Sequence, residues 1–107
     1  MLAPVLLALA ISAEVLGTVA LRMSDGFSKP LASAGAVVGY VLAFALLAPV
    51  LKHLDIGLVY AIWAGVGTAL IAVIGVLAWG EPAGAIKVVS IGAVIMGVVG
   101  LNLSSAH

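Results

Sequence analysis

The sequence predicts an all-α membrane protein with four transmembrane helices per chain. Three observations predict it. Hydrophobic residues make up 65% of the 107 positions and charged residues 7%, where soluble domains carry roughly 25% charged, so a water-soluble fold would lack the groups to cover its surface. The charges other than Glu14 are bunched: Arg22, Asp25 and Lys29, then Lys52 and Asp55, then Glu81 and Lys87. Between the bunches lie apolar runs close to the roughly 17–25 residues that carry a helix across a bilayer.

The helices are expected at about 2–21, 31–51, 56–79 and 86–104, in a single four-helix domain covering 1–107. The first run contains Ala8–Ala10, which imitates a signal-peptide cleavage site, but no basic segment precedes it and the apolar stretch before it is too short. It is therefore read as a span. Asp25-Gly26 marks the turn after it, and Lys29-Pro30 favours a new element starting there. The second run carries Gly35 and Gly39, a GxxxG pair extended by Ala43, which lets helix backbones approach closely in lipid. The third has Ala61, Gly65 and Ala69 as a small-residue stripe. It also carries Gly65-Val66-Gly67, whose two glycines each weaken a helix by about 1 kcal/mol relative to alanine, for a kink or for close packing. "GEPAGA" breaks the chain after Trp79, and the fourth run presents Ala93 and Gly97.

The composition excludes several functions. With no cysteine, disulfides and thiolate chemistry are absent. A formal net charge of zero offers no basic face to nucleic acid. His53 and His107 are far apart and lack metal-ligand spacing, and no phosphate-binding loop or nucleophile–base pair is present. No metal, no cofactor and no enzymatic activity are expected.

Glu14 is the exception inside a span. A charged carboxylate near the middle of a membrane helix costs about 2.5–3.5 kcal/mol on insertion scales. Two states lower that cost: the neutral form is favoured away from water, or the charged form faces a cavity and meets a cation. A group that alternates between them is a proton-coupled cation site; one held permanently neutral is a structural glutamate. No other acidic or basic side chain lies within a span, so the partner is a proton, a ligand or a second subunit. The helix face around Glu14 is Leu7, Ala10, Gly17, Thr18 and Leu21, small and mildly polar, as a cavity wall would be. Gly17 and Thr18 leave room beside the carboxylate. Tyr60 and Trp63, three residues apart, share a helix face, and Trp63 is too deep for an interfacial belt. With Tyr40 they supply ring faces that attract an organic cation by about 0.5–2 kcal/mol each, or they simply pack.

These residues carry a family resemblance. "AEVLGT" (13–18), "DGFSK" (25–29), "VGY" ending at Tyr40, "YAIWAGVG" (60–67) and "LNL" (101–103) resemble, in order, segments of the small multidrug resistance transporters. The resemblance covers essentially the whole chain. It implies a multi-pass protein of the inner membrane that exports lipophilic, quaternary ammonium-type cations in exchange for protons, as an antiparallel dimer in the lipid bilayer. Glu14 of each subunit would bind proton and substrate alternately, with Tyr40, Tyr60 and Trp63 around the substrate and Leu7, Ala10, Gly17 and Thr18 lining the cavity. Gly65, Val66 and Gly67 would form the helix kink of alternating access, and Ser90, Ala93, Val94 and Gly97 the dimer contact. The partner would be a second copy or a homologue of the same family.

The family has a guanidinium-exporting branch, which typically places a tryptophan where this chain has Gly17. Gly17, Thr18 and Tyr40 resemble the multidrug branch, whereas "LKHL", "GEP" and "GVVGLNLSSAH" partly resemble the other. Two positions depart from familiar multidrug members: Pro4 replaces a chamber tyrosine, and Ser90 a common glycine. Lys and Arg counts in the loops bias both termini weakly outward, which leaves dual topology open. A non-transporting structural or regulatory membrane protein is the alternative of another class.

Overall fold

The computed structural model describes residues 2–105; the expectations placed on Met1, Ala106 and His107 lie outside the described residues. Four helices follow one another: α1 (Leu2–Met23), α2 (Pro30–Val50), α3 (Ile56–Trp79) and α4 (Ala85–Ser105). All four are long and apolar enough to cross a membrane. At 1.5 Å per residue they run from about 31 to 36 Å, against a hydrocarbon core of about 30 Å. The chain is a multi-pass membrane protein.

The helix ends follow from local chemistry. Pro4 falls in the first turn of α1, where its missing N–H costs nothing. α2 opens on Pro30 itself, because a residue before proline avoids helical geometry; Lys29 is extended at φ −105° and ψ 112°. α3 closes on Gly80 in the left-handed region at φ 64°, with the Gly80 and Glu81 amides both donating to Gly75 O. The turn between α1 and α2 is built around Ser24, which is fully buried. Its hydroxyl donates to Leu21 O at 2.6 Å and accepts the Phe27 amide at 3.1 Å. Around it Asp25, Gly26 and Phe27 take φ of 50°, 69° and 68°, three left-handed residues in succession.

The chain forms two compact units, one containing α1 and α2 and the other α3 and α4. In the first unit α1 buries Ala3, Leu7, Ala10, Ile11, Ala13, Val15 and Gly17, and α2 buries Ala36, Ala43 and Val50. The α2 set is spaced seven residues apart, and Ala3, Leu7, Ala10 and Gly17 keep the matching steps of four and three residues on α1, with Ile11, Ala13 and Val15 buried beside them. Small residues dominate both, so the two backbones come close. The tightest point is Gly17 on Gly39. A Cβ added to Gly39 would stand 2.7 Å from Gly17 Cα and 3.0 Å from Ala13 O. Gly35, the other half of the GxxxG pair, is looser, with Ala20 Cβ at 3.4 Å from its would-be Cβ.

In the second unit α3 passes through Gly65-Val66-Gly67 without a break in the helix. Gly65 is buried where α4 comes closest: a Cβ there would strike Val98 Cγ2 and lie 3.3 Å from Val94 Cγ1. Gly67 has nothing within 4 Å of the equivalent position. At the α3–α4 turn the Glu81 carboxylate folds over Gly75, and Lys87 Nζ sits 3.6 Å from it while donating to Pro82 O at 3.1 Å. No described residue of α4 is fully buried. Ser90, Ala93, Val94 and Gly97 are all exposed in the single chain, and Gly97 has no neighbour at its would-be Cβ. Val94 divides its surface, since one methyl also faces Gly65.

Candidate functional site

The seam of α1 reads Ala3, Leu7, Ala10, Glu14, Gly17, with spacings that alternate between four and three residues. Glu14 thus takes a core position of the repeat, on the face turned to α2. It is half-buried. Among the described residues its hydrogen-bond partner is one turn along the same helix: Thr18 Oγ1 donates to Glu14 Oε1 at 3.4 Å. This is long for an O–H···O bond, which ordinarily spans 2.5–3.0 Å. Thr18 in turn meets the Tyr40 hydroxyl of α2 at 2.8 Å, where either oxygen can donate.

Glu14, Thr18 and Tyr40 therefore form a polar chain across the helix pair, all three half-buried. Such a chain needs α1 and α2 close together, since a threonine reaches one bond from its Cβ and the phenol must come the rest of the way. The Gly17–Gly39 contact supplies that closeness. Each glycine of the contact adjoins a member of the chain, Gly17 next to Thr18 and Gly39 next to Tyr40.

The other expected cavity residues are distributed differently. Ala10 is fully buried and Leu7 is 5% exposed, both in the α1 seam. The room expected beside Glu14 from the absent Gly17 side chain is taken up by α2: a Cβ at Gly17 would meet Ala36 O at 3.3 Å and Gly39 Cα at 3.4 Å. The polar neighbours of Glu14 are instead Thr18 and, through it, Tyr40. In the second unit Tyr60 is 75% exposed and Trp63 half-buried, both on α3. Among the described residues no cluster of His, Asp or Glu is spaced to hold a metal ion.

Chemically, the chain can hold one proton or one positive charge at Glu14. A carboxylate accepts only, whereas a hydroxyl both donates and accepts. Among the described residues of the α1–α2 unit, the groups linked to Glu14 by hydrogen bonds are the hydroxyls of Thr18 and, through it, Tyr40. Ser24 is the residue that sequence reasoning missed. It bears on the site by holding the turn that returns α2 against α1, and a serine directly before Asp-Gly was the available signal.

A family profile described as Small Multidrug Resistance protein matches residues 2–103. The multidrug resistance protein EbrB of Bacillus subtilis (strain 168) is 46% identical over 101 residues, covering 94% of this chain and 86% of that protein. The nicotine metabolites export pump subunit NepA of Paenarthrobacter nicotinovorans is 47% identical over 102 residues, covering 95% and 88%. The quaternary ammonium compound-resistance protein QacC of Staphylococcus aureus is 39% identical over 97 residues, covering 91% of each.

Proposed function

The chain belongs to the Small Multidrug Resistance family, whose members are multidrug transporters rather than enzymes, and from this premise we propose that it exports hydrophobic, quaternary ammonium-type cations in exchange for protons, with Glu14 binding the two in alternation. The observation that carries the reading is the setting of Glu14. It is half-buried at mid-span with a long hydroxyl contact from Thr18 and no ion pair among the described residues. A carboxylate in lipid without an internal cation takes a proton or a cationic ligand, and one site that takes either couples their movements. The quaternary ammonium resistance named for QacC supports that ligand class here.

The packing of Gly17 supports the multidrug reading over guanidinium export. A Cβ there already stands 3.3 Å from Ala36 O and 3.4 Å from the Gly39 backbone, so this close α1–α2 contact suits a glycine better than the tryptophan typical of the guanidinium branch. Tyr60 and Trp63 contribute ring faces to the cation. The functional unit is an antiparallel dimer of two copies or of this chain with a homologue, joined through the exposed α4 face at Ser90, Ala93, Val94 and Gly97. The word subunit in the name of NepA supports an assembly of more than one chain. Gly65-Val66-Gly67 is the segment at which α3 would flex as access alternates.

The test is proton release. Adding a lipophilic cation such as tetrabutylammonium to weakly buffered, detergent-solubilised protein is expected to acidify the solution, and Glu14→Gln is expected to abolish the signal. Equal release from the variant refutes the assignment. Release with guanidinium but not with tetrabutylammonium moves the chain to the other branch.

A further inference from the structure

We propose that Thr18 is a positioning residue that transmits the protonation state of Glu14 to the Tyr40 hydroxyl, so that Tyr40 turns lone pairs toward a cation when Glu14 is charged and turns its hydrogen that way when Glu14 is protonated. This deepens the reading of Glu14 as the exchange site and rests on it.

The derivation is a count of hydrogens. Thr18 has one, and so does Tyr40. When Glu14 is a carboxylate it can only accept, so the Thr18 hydrogen points to Oε1, the 3.4 Å contact. Thr18 then has no hydrogen left for Tyr40, and the 2.8 Å contact between the hydroxyls must be donated by Tyr40. The phenol oxygen presents only lone pairs on its other side. When Glu14 carries a proton, the carboxylic acid can donate to Thr18. Thr18 then donates to Tyr40, and the phenol hydrogen swings away from the chain. No hydrogen is created or lost beyond the one that Glu14 exchanges.

The two distances fit these roles. The short link between Thr18 and Tyr40 holds in either direction. The long link to Glu14 is the one that changes, because O–H···O⁻ bonds contract toward 2.5–2.7 Å once the acceptor is charged. The two helices of this unit carry few other ionisable groups. α2, the element packed on α1, contributes Tyr40 as its one titratable side chain, and α1 adds Arg22 two turns beyond Glu14, in its last turn. A cation and a proton thus exclude one another twice, once at the carboxylate and once through the dipole of the Tyr40 hydroxyl.

The experiment uses full-length protein in detergent with ¹³C at Tyr Cζ and Glu Cδ, titrated below the ordinary phenol range near 10. The Tyr40 Cζ resonance is expected to shift with the same midpoint as the Glu14 Cδ resonance. Thr18→Val keeps the shape and removes the hydroxyl; Glu14 should still titrate while Tyr40 stays fixed. Thr18→Ser keeps the hydroxyl and loses the methyl, and the linked shift should return, which a packing role would not produce. Tetrabutylammonium affinity should fall about threefold to tenfold in Thr18→Val, as expected for one hydrogen bond, and recover in Thr18→Ser. A Tyr40 resonance that stays fixed in the wild type while Glu14 titrates overturns the proposal, as does one that still follows Glu14 in Thr18→Val. If Thr18→Val does not assemble, the wild-type titration decides alone. A Glu14 resonance that neither titrates nor responds to the cation overturns the exchange reading itself, a result distinct from failure of the link.

Discussion

Gly39→Ala tests whether the helix contact sets the polar chain. A Cβ at residue 39 would stand 2.7 Å from Gly17 Cα and 3.0 Å from both Gly17 N and Ala13 O, where ordinary contact begins at 3.4 Å. The obstacles are backbone atoms and cannot rotate aside, so α1 and α2 must part locally by at least the missing 0.7 Å. Carried to the neighbouring residue, that displacement lengthens the 2.8 Å contact between Thr18 and Tyr40 to about 3.5 Å, beyond the hydrogen-bond range. Overpacking of this kind costs about 1–3 kcal/mol, offset by the roughly 1 kcal/mol that alanine gains over glycine inside a helix. The variant is expected to remain folded, with a net loss of about 0–2 kcal/mol, but to lose the bond. Gly35→Ala is the control, since its Cβ meets only Ala20 Cβ at an ordinary 3.4 Å. Denaturant unfolding in detergent gives the stability, and tetrabutylammonium titration with the Tyr40 Cζ resonance gives the site. Gly39→Ala with wild-type affinity and an unmoved Tyr40 signal refutes the reasoning, and so does equal damage from Gly35→Ala.

Further outcomes follow from the second unit and the first turn. Gly65→Ala places a methyl against Val98 and Val94, valines that are stiff at χ1, and should cost about 1–3 kcal/mol in denaturant unfolding. Gly67→Ala meets no atom of the chain within 4 Å and should hold or raise stability by up to about 1 kcal/mol. Its transport rate reports the bend separately: slower turnover with unchanged stability fits a hinge at this glycine, whereas equal turnover removes the hinge role. Ser24→Ala deletes the contacts to Leu21 O and the Phe27 amide, worth about 1 kcal/mol. Hydrogen exchange at the Phe27 amide should therefore quicken about fivefold; an unchanged rate would show that the turn holds without Ser24.

The membrane fold was legible because lipid imposes a simple rule on sequence, namely apolar runs of fixed length with charges between them. Glu14 was legible for the same reason, as the lone acid in such a run. What joins the residues was harder to read. Thr18 and Tyr40 lie 22 positions apart, and no periodicity within either span states that their hydroxyls meet. Gly35 and Gly39 are equivalent in a GxxxG pattern, yet only Gly39 bears on the facing backbone, because contact depends on where two helices cross. Gly17 suggested open space beside Glu14, since the absence of a side chain reads the same whether the gap stays open or a neighbour fills it. Ser24 escaped notice because a serine in a polar turn is ordinarily solvated, and its burial comes from the turn closing over its own hydroxyl.

The register of α1 links these observations. Ala3, Leu7, Ala10 and Gly17 are buried along one stripe of α1, and Glu14 falls on that stripe between the buried Ala13 and Val15. An apolar side chain there would simply extend the seam. A lysine or arginine opposite it on α2 would neutralise Glu14 permanently, because a close ion pair in a weakly polar setting holds more tightly than one in water. The chain does neither. It places the Thr18 hydroxyl 3.4 Å from the carboxylate and links that hydroxyl to Tyr40. It brings the phenol within reach through two glycines, each costing about 1 kcal/mol of helix propensity. The hydroxyl chain therefore depends on the Gly17–Gly39 approach, and the proposed exchange of proton and cation at Glu14 depends in turn on that chain.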